Sequence, residues 1–354
     1  MAGIGYPPPD WDVIVIGAGI IGCAIAREVA RRNTRTLVLE ARAVGHGATQ
    51  ASAGVLAPFI EAPGEGPLQA LTVESLAMYD EFVASVSHES DTPIEYRRCG
   101  TLEIAHDSES VRRLKTLGAW ARSKGVEARW ADPAEVSQLE PALAPSCGGL
   151  IVSEHGYVRA AQLTSALEHA ARRHGATVHG SRRVERVSCD GGCVTVTTGE
   201  GSYRGRTAVV AAGSWSGDLA PETEVVPVRG QLLHLTWQGP PITRILWSDR
   251  CYLVPWLDGT LLVGATVEHA GFDERATAGG VQSLLNAASA LLPGISDATF
   301  IEARVGLRPA TPTGLPVIRR STAHPSIVYA TGHFRNGILL APLTGRLVAD
   351  LICS

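Results

Sequence analysis

Apolar positions along the chain fall into distinct rhythms, and their order predicts the elements. Val13 to Ile16 is an unbroken β-branched run, the pattern of a strand buried on both faces. Gly17-Ala18-Gly19-Ile20-Ile21-Gly22 follows directly. Cys23 to Arg32 then carries small and apolar residues at helical spacing, and a second apolar run ends in the acid Glu40. Residues 12–40 therefore read as strand, glycine turn, helix and strand, a βαβ unit.

The rest of the chain alternates between helical and extended patterns. A helix is expected over 67–88, with Leu68, Leu71, Leu76, Met78, Tyr79 and Phe82 as its apolar positions, then a strand pair over 93–105 turning at Gly100. An amphipathic helix runs from Val111 to Lys124 and stops at Gly125. Asp132 and Pro133 open a short helix as N-cap and first helical residue. A second α/β segment follows: a helix at 160–174 closed by Gly175, a strand at Thr177-Val178-His179, a hairpin from Arg183 to Thr198 around Asp190-Gly191-Gly192, and an apolar strand from Ala208 ending at Gly213. That last strand is expected to return to the sheet of the first βαβ unit. From Val225 to Phe272 the runs are short and alternating (Gln231 to Leu235, Cys251 to Pro255, Thr260 to Gly264), with Asp258-Gly259 as a hairpin turn, which predicts an antiparallel sheet in a second domain. A helix at 277–292, a strand at 300–311 and a last parallel-type strand from Ile327 to Gly332 lead through His333-Phe334-Arg335-Asn336-Gly337 into an apolar helix reaching Cys353. Residues 1–10 read as a loose lead-in, since Pro7-Pro8-Pro9 cannot join a sheet.

The glycines of the first unit carry chemistry as well as structure. Gly17 allows the tight turn, Gly19 lets backbone N–H groups approach a pyrophosphate, and Gly22 lets the helix lie close to the strand. The helix start adds unpaired N–H groups and a positive dipole end. Glu40, 18 positions after Gly22, stands where a carboxylate accepts both hydroxyls of an adenosine ribose. The unit alone does not separate FAD from NAD. The small, hydroxyl-rich stretch from Ala41 to Gly54 fits either a loop packed on a pyrophosphate or an ordinary surface loop. Asn336-Gly337 opens a helix suited to negative charge, or is a plain helix start. Arg308, between a strand and Pro309, offers a guanidinium fork for a carboxylate, or an interdomain salt bridge.

Composition narrows the classes. A chain of 354 residues is long enough for two domains, and a net charge of −4 leaves no basic footprint for nucleic acid. No apolar stretch approaches the ~18 residues of a membrane span and the start lacks a signal-peptide pattern, so a soluble cytoplasmic protein is expected. Seven cysteines without a CxxC pair argue against a disulfide framework and against a metal site; Cys189 and Cys193 are placed to face each other across their hairpin.

Five separated stretches together resemble the glycine oxidase branch of the D-amino-acid oxidase family of FAD-dependent amine oxidases. They are the βαβ unit to Glu40; the loop Thr49 to Pro58; Val209 to Gly217; Tyr252-Leu253-Val254-Pro255 with Val263-Gly264-Ala265-Thr266; and Gly306-Leu307-Arg308-Pro309 with Gly332 to Pro342. The resemblance implies an α/β fold in which a Rossmann-type FAD-binding domain (1–88, 150–225, 305–354) is interrupted by an antiparallel-sheet substrate-binding domain (89–149, 226–304). It implies FAD contacts at Gly17, Gly19, Ile20, Ile21, Gly22, Glu40, Ala41, Arg42, Thr49, Gln50, Ser52, Ala53 and Gly54. Further contacts fall at Val184, Ala212, Gly213, Trp215, Gly306, His333, Arg335, Asn336, Gly337 and Ile338. Sarcosine oxidases of the monomeric type attach FAD through a late cysteine, and none lies between Cys251 and Cys353, so noncovalent FAD is expected.

By the same resemblance Arg308 and Tyr252 bind the carboxylate of an amino-acid substrate, and the backbone carbonyl of Arg335 helps hold its amine. A hydride leaves Cα for the flavin, the resulting imine hydrolyses, and O2 is the re-oxidant. Val55 and Val267 stand where the family typically has methionine, Trp256 replaces a basic residue, and Ala310 replaces a glycine. Two smaller side chains predict a roomier pocket that takes an N-alkylglycine or N-carboxymethyl amine. Trp256 either walls that pocket or packs on the sheet. The alternatives left open are a D-amino-acid dehydrogenase, a nicotinamide dehydrogenase and a flavin-binding protein without turnover; a homo-oligomer is also left open.

Overall fold

In the computed structural model, residues 10–190 and 192–353 are described, so the lead-in at Pro7-Pro8-Pro9 and the turn residue Gly191 lie outside the described residues. Trp11–Ile16 is the centre of an eight-stranded sheet. It pairs in parallel with Thr36–Leu39 on one side and Gly201–Val210 on the other, in register Ile16 to Leu39 and Ile16 to Val210. Gly201–Val210 divides its far edge. Its first half takes the hairpin strand Cys193–Thr198, and its second half takes Ile327–Thr331 in parallel, with Ala208 opposite Ile327. Thr177–His179 extends the other side in parallel. The apolar strands are sandwiched between packed layers, as parallel strands require.

Three helices, Ile20–Arg31, Ala160–Arg173 and Gly337–Cys353, cover one face of this sheet. Gly17 has φ +102°, and a Cβ at Gly22 would fall 1.9 Å from the Gly17 carbonyl oxygen, so the helix meets the strand turn at a distance only glycine permits. Gly337–Cys353 contains Pro342, which removes the N–H that would have bonded the Ile338 carbonyl four residues earlier. Tyr79 supplies a replacement: its hydroxyl donates to Ile338 O at 2.6 Å. One residue on, Ser75 Oγ donates to Leu339 O at 2.6 Å. These two donors sit on either side of a break at Met78. The single helix expected over 67–88 is two, Pro67–Ala77 and Tyr79–Ser90, and Ser75 and Tyr79, four positions apart, both reach the C-terminal helix.

A second eight-stranded sheet runs in the order Thr299–Ala310, Val226–Thr236, Thr260–Gly264, Tyr252–Pro255, Ile245–Trp247, Thr101–Ile104, Gly149–Val152 and Ala128–Ala131. It is antiparallel except where Ile245–Trp247 meets Thr101–Ile104 in parallel. The Asp258-Gly259 turn is present, with Gly259 at φ +81°.

Several sequence expectations are corrected here. Tyr96–Arg97 and Thr101–Ile104 do not pair with each other. The first joins Val55–Leu56 and Gly156–Val158 in a small third sheet, and the second enters the large antiparallel one. Gly149–Val152 and the whole of Thr299–Ala310 belong to the antiparallel sheet, so boundaries at 150 and 305 each cut through a strand. Cys189 lies opposite Val194 and Cys193 opposite Asp190, which puts the two thiols on opposite faces of the hairpin; both are free.

Because the Ile338 carbonyl has lost its intrahelical donor, Tyr79→Phe leaves a buried acceptor unpaired. The expected cost is about 1–3 kcal/mol in denaturant unfolding, with helix content by circular dichroism unchanged.

Candidate active site

The carboxyl ends of Trp11–Ile16, Thr36–Leu39, Gly201–Val210 and Ile327–Thr331 open on one cleft of about 500 Å3, and the antiparallel sheet closes its far side. Two helix N-termini meet there. Gly19, Ile20 and Ile21 belong to one and Gly337 and Ile338 to the other, and all five line the cleft. Each offers backbone N–H groups and a positive dipole end to a negatively charged ligand.

Glu40 is held at the end of its strand by two backbone donors: Ala18 N to Oε2 at 2.7 Å and Arg42 N to Oε1 at 2.8 Å. A carboxylate has roughly four acceptor sites, so both oxygens keep capacity for ribose hydroxyls. Thr49 Oγ1 accepts from Ile20 N at 3.1 Å, which ties the following loop to the helix start. Arg42 lines the cleft, but its guanidinium is engaged bidentately by Glu274 (3.0 and 2.6 Å) and lies 4.8 Å over the Trp215 ring. Arg42 thus straps the loop before Thr277 across the cradle.

At the opposite end the antiparallel sheet supplies Tyr252 and Arg308. The Tyr252 ring lies directly on Gly264, where a Cβ would fall 2.4 Å from its hydroxyl, and stacks on Trp247 at a centroid distance of 4.9 Å. Burial pushes the phenol pKa up, so the hydroxyl stays a neutral donor. The Arg308 guanidinium lies on Gly230, where a Cβ would be 2.2 Å from Nη1, and Nη1 donates to Thr266 O at 2.9 Å. Thr266 is itself fixed, since Gln231 N donates to its hydroxyl and its own N–H donates to Gln231 O. Burial moves the Arg308 pKa down, yet a guanidinium starts so high that it keeps its charge. Among the described residues no carboxylate forms an ion pair with Arg308: this half-buried cation donates to a backbone carbonyl, with Glu61 and Glu268 acting on it only through space.

Of the residues expected at the site, Gly17, Gly19, Ile20, Ile21, Glu40, Ala41, Arg42, Thr49, Ser52, Ala53, Gly54 and Val55 line the cleft. So do Val184, Ala212, Gly213, Trp215, Tyr252, Gly306, Arg308, His333, Arg335, Gly337 and Ile338. Five do not. Gly22 faces the Gly17 carbonyl beneath the helix, and Gln50 is not part of the cleft lining. Asn336 is buried behind the helix start, its N–H donating to His333 O. Val267 is 51% exposed at the surface, one residue beyond the Thr266 carbonyl that anchors Arg308. Trp256 lies four residues along an extended strand from Tyr252, or ~13 Å, and is clasped between Arg159 (4.1 Å) and Arg304 (5.6 Å) with His234 edge-on. Of the two readings of Trp256, packing on the sheet is the one the structure shows.

Sequence reasoning missed Glu61. It ends the short helix Pro58–Glu61, lines the cleft and accepts from Arg335 Nη2 at 2.8 Å. Burial pushes its carboxyl pKa up against the pull of Arg335 and Arg308. Its only sequence signal was an acid directly after the apolar Pro58-Phe59-Ile60.

A nucleotide cradle is continuous here with a half-buried arginine that has no carboxylate partner among the described residues, and the residues present fit FAD: two dipole ends for its anionic groups and an acid for its ribose. The profile described as FAD dependent oxidoreductase (DAO) matches residues 12–351. The chain is 35% identical to glycine oxidase of Bacillus licheniformis over 97% of its own length and 93% of that protein's. Among solved structures it resembles glycine oxidase from Geobacillus kaustophilus (32% identity, TM-score 0.94, covering 98% and 95% of the two chains). It also resembles iminodiacetate oxidase from Chelativorans sp. BNC1 (26% identity, TM-score 0.88, 96% and 95%). The chain belongs to the DAO family of FAD-dependent oxidoreductases.

Two buried histidines give the protein's stability a pH signature. His333 lines the cleft with Nε2 against Thr344 Oγ1 at 3.0 Å, and His155 stacks on Phe59 behind it; desolvation holds both pKa values down to about 3. At these two positions the unfolded chain takes up protons below about 6.5 and the folded one does not, so the stability they contribute is present above 6.5 and is lost as pH drops toward 3. Unfolding midpoints measured across that range should show a slope that His155→Gln reduces.

Proposed function

We propose that the protein is an amino-acid oxidase of the glycine type, and that it takes N-substituted glycines in preference to glycine. The observation that carries the reading is Arg308. A half-buried, partly desolvated guanidinium lining a cleft without a carboxylate partner is suited to a ligand that supplies one, and the α-carboxylate of an amino acid is the matching fork.

Arg308 and the Tyr252 hydroxyl clamp that carboxylate, and the Arg335 carbonyl accepts from the amine. With three points fixed, the Cα–H has one orientation, and orientation is where most of the rate enhancement arises. FAD supplies the hydride acceptor. The chain contributes no nucleophile, and His333 stays neutral against Thr344. The balanced reaction is R–NH–CH2–COO⁻ with O2 and H2O, giving R–NH2, glyoxylate and H2O2.

The preference for an N-substituent rests on Val55. It lines the cleft where the family typically carries methionine, so the wall there is shorter by the end of that side chain. Val267 and Trp256, outside the cleft, add no room. The named substrate of the iminodiacetate oxidase neighbour is itself an N-substituted glycine.

A peroxide-coupled screen of glycine, sarcosine, N-ethylglycine and D-alanine tests the reading. Sarcosine and N-ethylglycine should exceed glycine in kcat/KM. A clear preference for glycine overturns the N-substituent preference, one for D-alanine overturns the glycine-type reading, and no peroxide from any substrate overturns the oxidase. Arg308→Met should lower kcat/KM by at least about thirtyfold while the bound flavin spectrum is retained, because it removes one side of a buried charge pair.

A further inference from the structure

Two guanidinium groups share the substrate end of the cleft, and they differ in one respect. Arg308 faces Tyr252 with a backbone carbonyl as its only protein acceptor among the described residues. Arg335 is already paired: its Nη2 donates to Glu61 Oε1 at 2.8 Å, with the side chains 28% and 12% exposed. Of the two guanidinium groups only Arg335 has a carboxylate ion-pair partner among the described residues, which leaves Arg308 as the one open to an anionic ligand. That arrangement matches a ligand with one carboxylate.

We propose that Glu61 determines specificity by holding Arg335, so that the site accepts amines bearing a single carboxylate and disfavours a second carboxylate on the N-substituent. The inference rests on the glycine-type reading above and narrows it from N-substituted glycines in general to those whose substituent is neutral.

The placement of Glu61 supports the role. It ends the Pro58–Glu61 helix, lines the same cleft as Val55, and acts on Tyr252 together with Arg308 and Arg335, which places it at the substrate end. A substituent on the amine shares the cleft with the Glu61–Arg335 pair. A neutral group meets a satisfied ion pair there. A carboxylate meets the Glu61 charge in a desolvated setting, and can reach Arg335 only by displacing Glu61 into repulsion with itself. With glutamine at 61, Arg335 becomes the second anion site.

The test compares iminodiacetate with its monoamide, two substrates of nearly equal size that differ by one charge. With the wild-type holoenzyme the monoamide should exceed iminodiacetate in kcat/KM by at least about tenfold, the worth of one charge-assisted hydrogen bond. In Glu61→Gln that ratio should fall by about tenfold or more. Adding Arg335→Met to Glu61→Gln should abolish the gain, and Glu61→Asp should keep the wild-type ratio. Malonate binding, followed by the change it causes in flavin absorption, should tighten in Glu61→Gln relative to acetate. Equal use of both substrates by the wild type, or a ratio unmoved in flavin-loaded Glu61→Gln, overturns the inference alone. Failure of the wild type to oxidise glycine, sarcosine and both iminodiacetate derivatives overturns the underlying reading as well. The wild-type comparison requires no variant and stands even where Glu61→Gln does not fold.

Discussion

The parallel pairing of Gly201–Val210 with Trp11–Ile16 on one edge and Ile327–Thr331 on the other is the constraint on which the site depends. Parallel strands in register end on the same side of a sheet, and each of the outer two runs into a helix. The N-termini of Ile20–Arg31 and Gly337–Cys353, more than three hundred residues apart in sequence, therefore open on one cleft. A shift of register at Ala208 to Ile327 would move one dipole end away from the other, and the cradle would hold only half of a dinucleotide.

Holding the second helix in place required an unusual solution. Pro342 disrupts the first turns of Gly337–Cys353, and the freed carbonyl at Ile338 is taken by Tyr79 while Ser75 takes the next. A helix that completes its own hydrogen bonds is positioned by apolar packing alone, which is non-directional. Here two directional bonds from a neighbouring helix pair fix the helix start beside the cleft. The proline inside the C-terminal helix, unfavourable locally, is compensated by these bonds.

The substrate end is organised by charge. Arg308 comes from the edge strand of the antiparallel sheet, Tyr252 from an inner strand of it, Glu61 from the wall after the first βαβ unit, and Arg335 from the turn before the last helix. Gly230 and Gly264 hold the Arg308 and Tyr252 side chains at distances a methyl group would forbid. The cleft thus joins a cradle built by one sheet to a clamp built by the other. The two strands corrected from the expected domain boundaries are informative here: Thr299–Ala310 lies wholly in the antiparallel sheet, so Arg308 is delivered across the interface by the opposing sheet.

What was legible in the sequence is local. The glycine spacing at 17, 19 and 22, the acid at 40, the Asp132 cap, the Asp258-Gly259 turn and the apolar strand runs each state a rule that holds within a few residues, because backbone geometry and burial on a strand or helix are set over that range. Tertiary structure alone decided the rest. The periodicity of 67–88 does not show the break at Met78, nor the carbonyls at 338 and 339 that Tyr79 and Ser75 meet. Nothing around Trp256 or Val267 in sequence says that one is clasped by Arg159 and Arg304 and the other lies in solvent. The Glu61–Arg335 pair spans 274 positions and has no motif. Long-range pairing and the charge balance of a pocket are properties of which surfaces meet, and a one-dimensional pattern records the surfaces without recording the meeting.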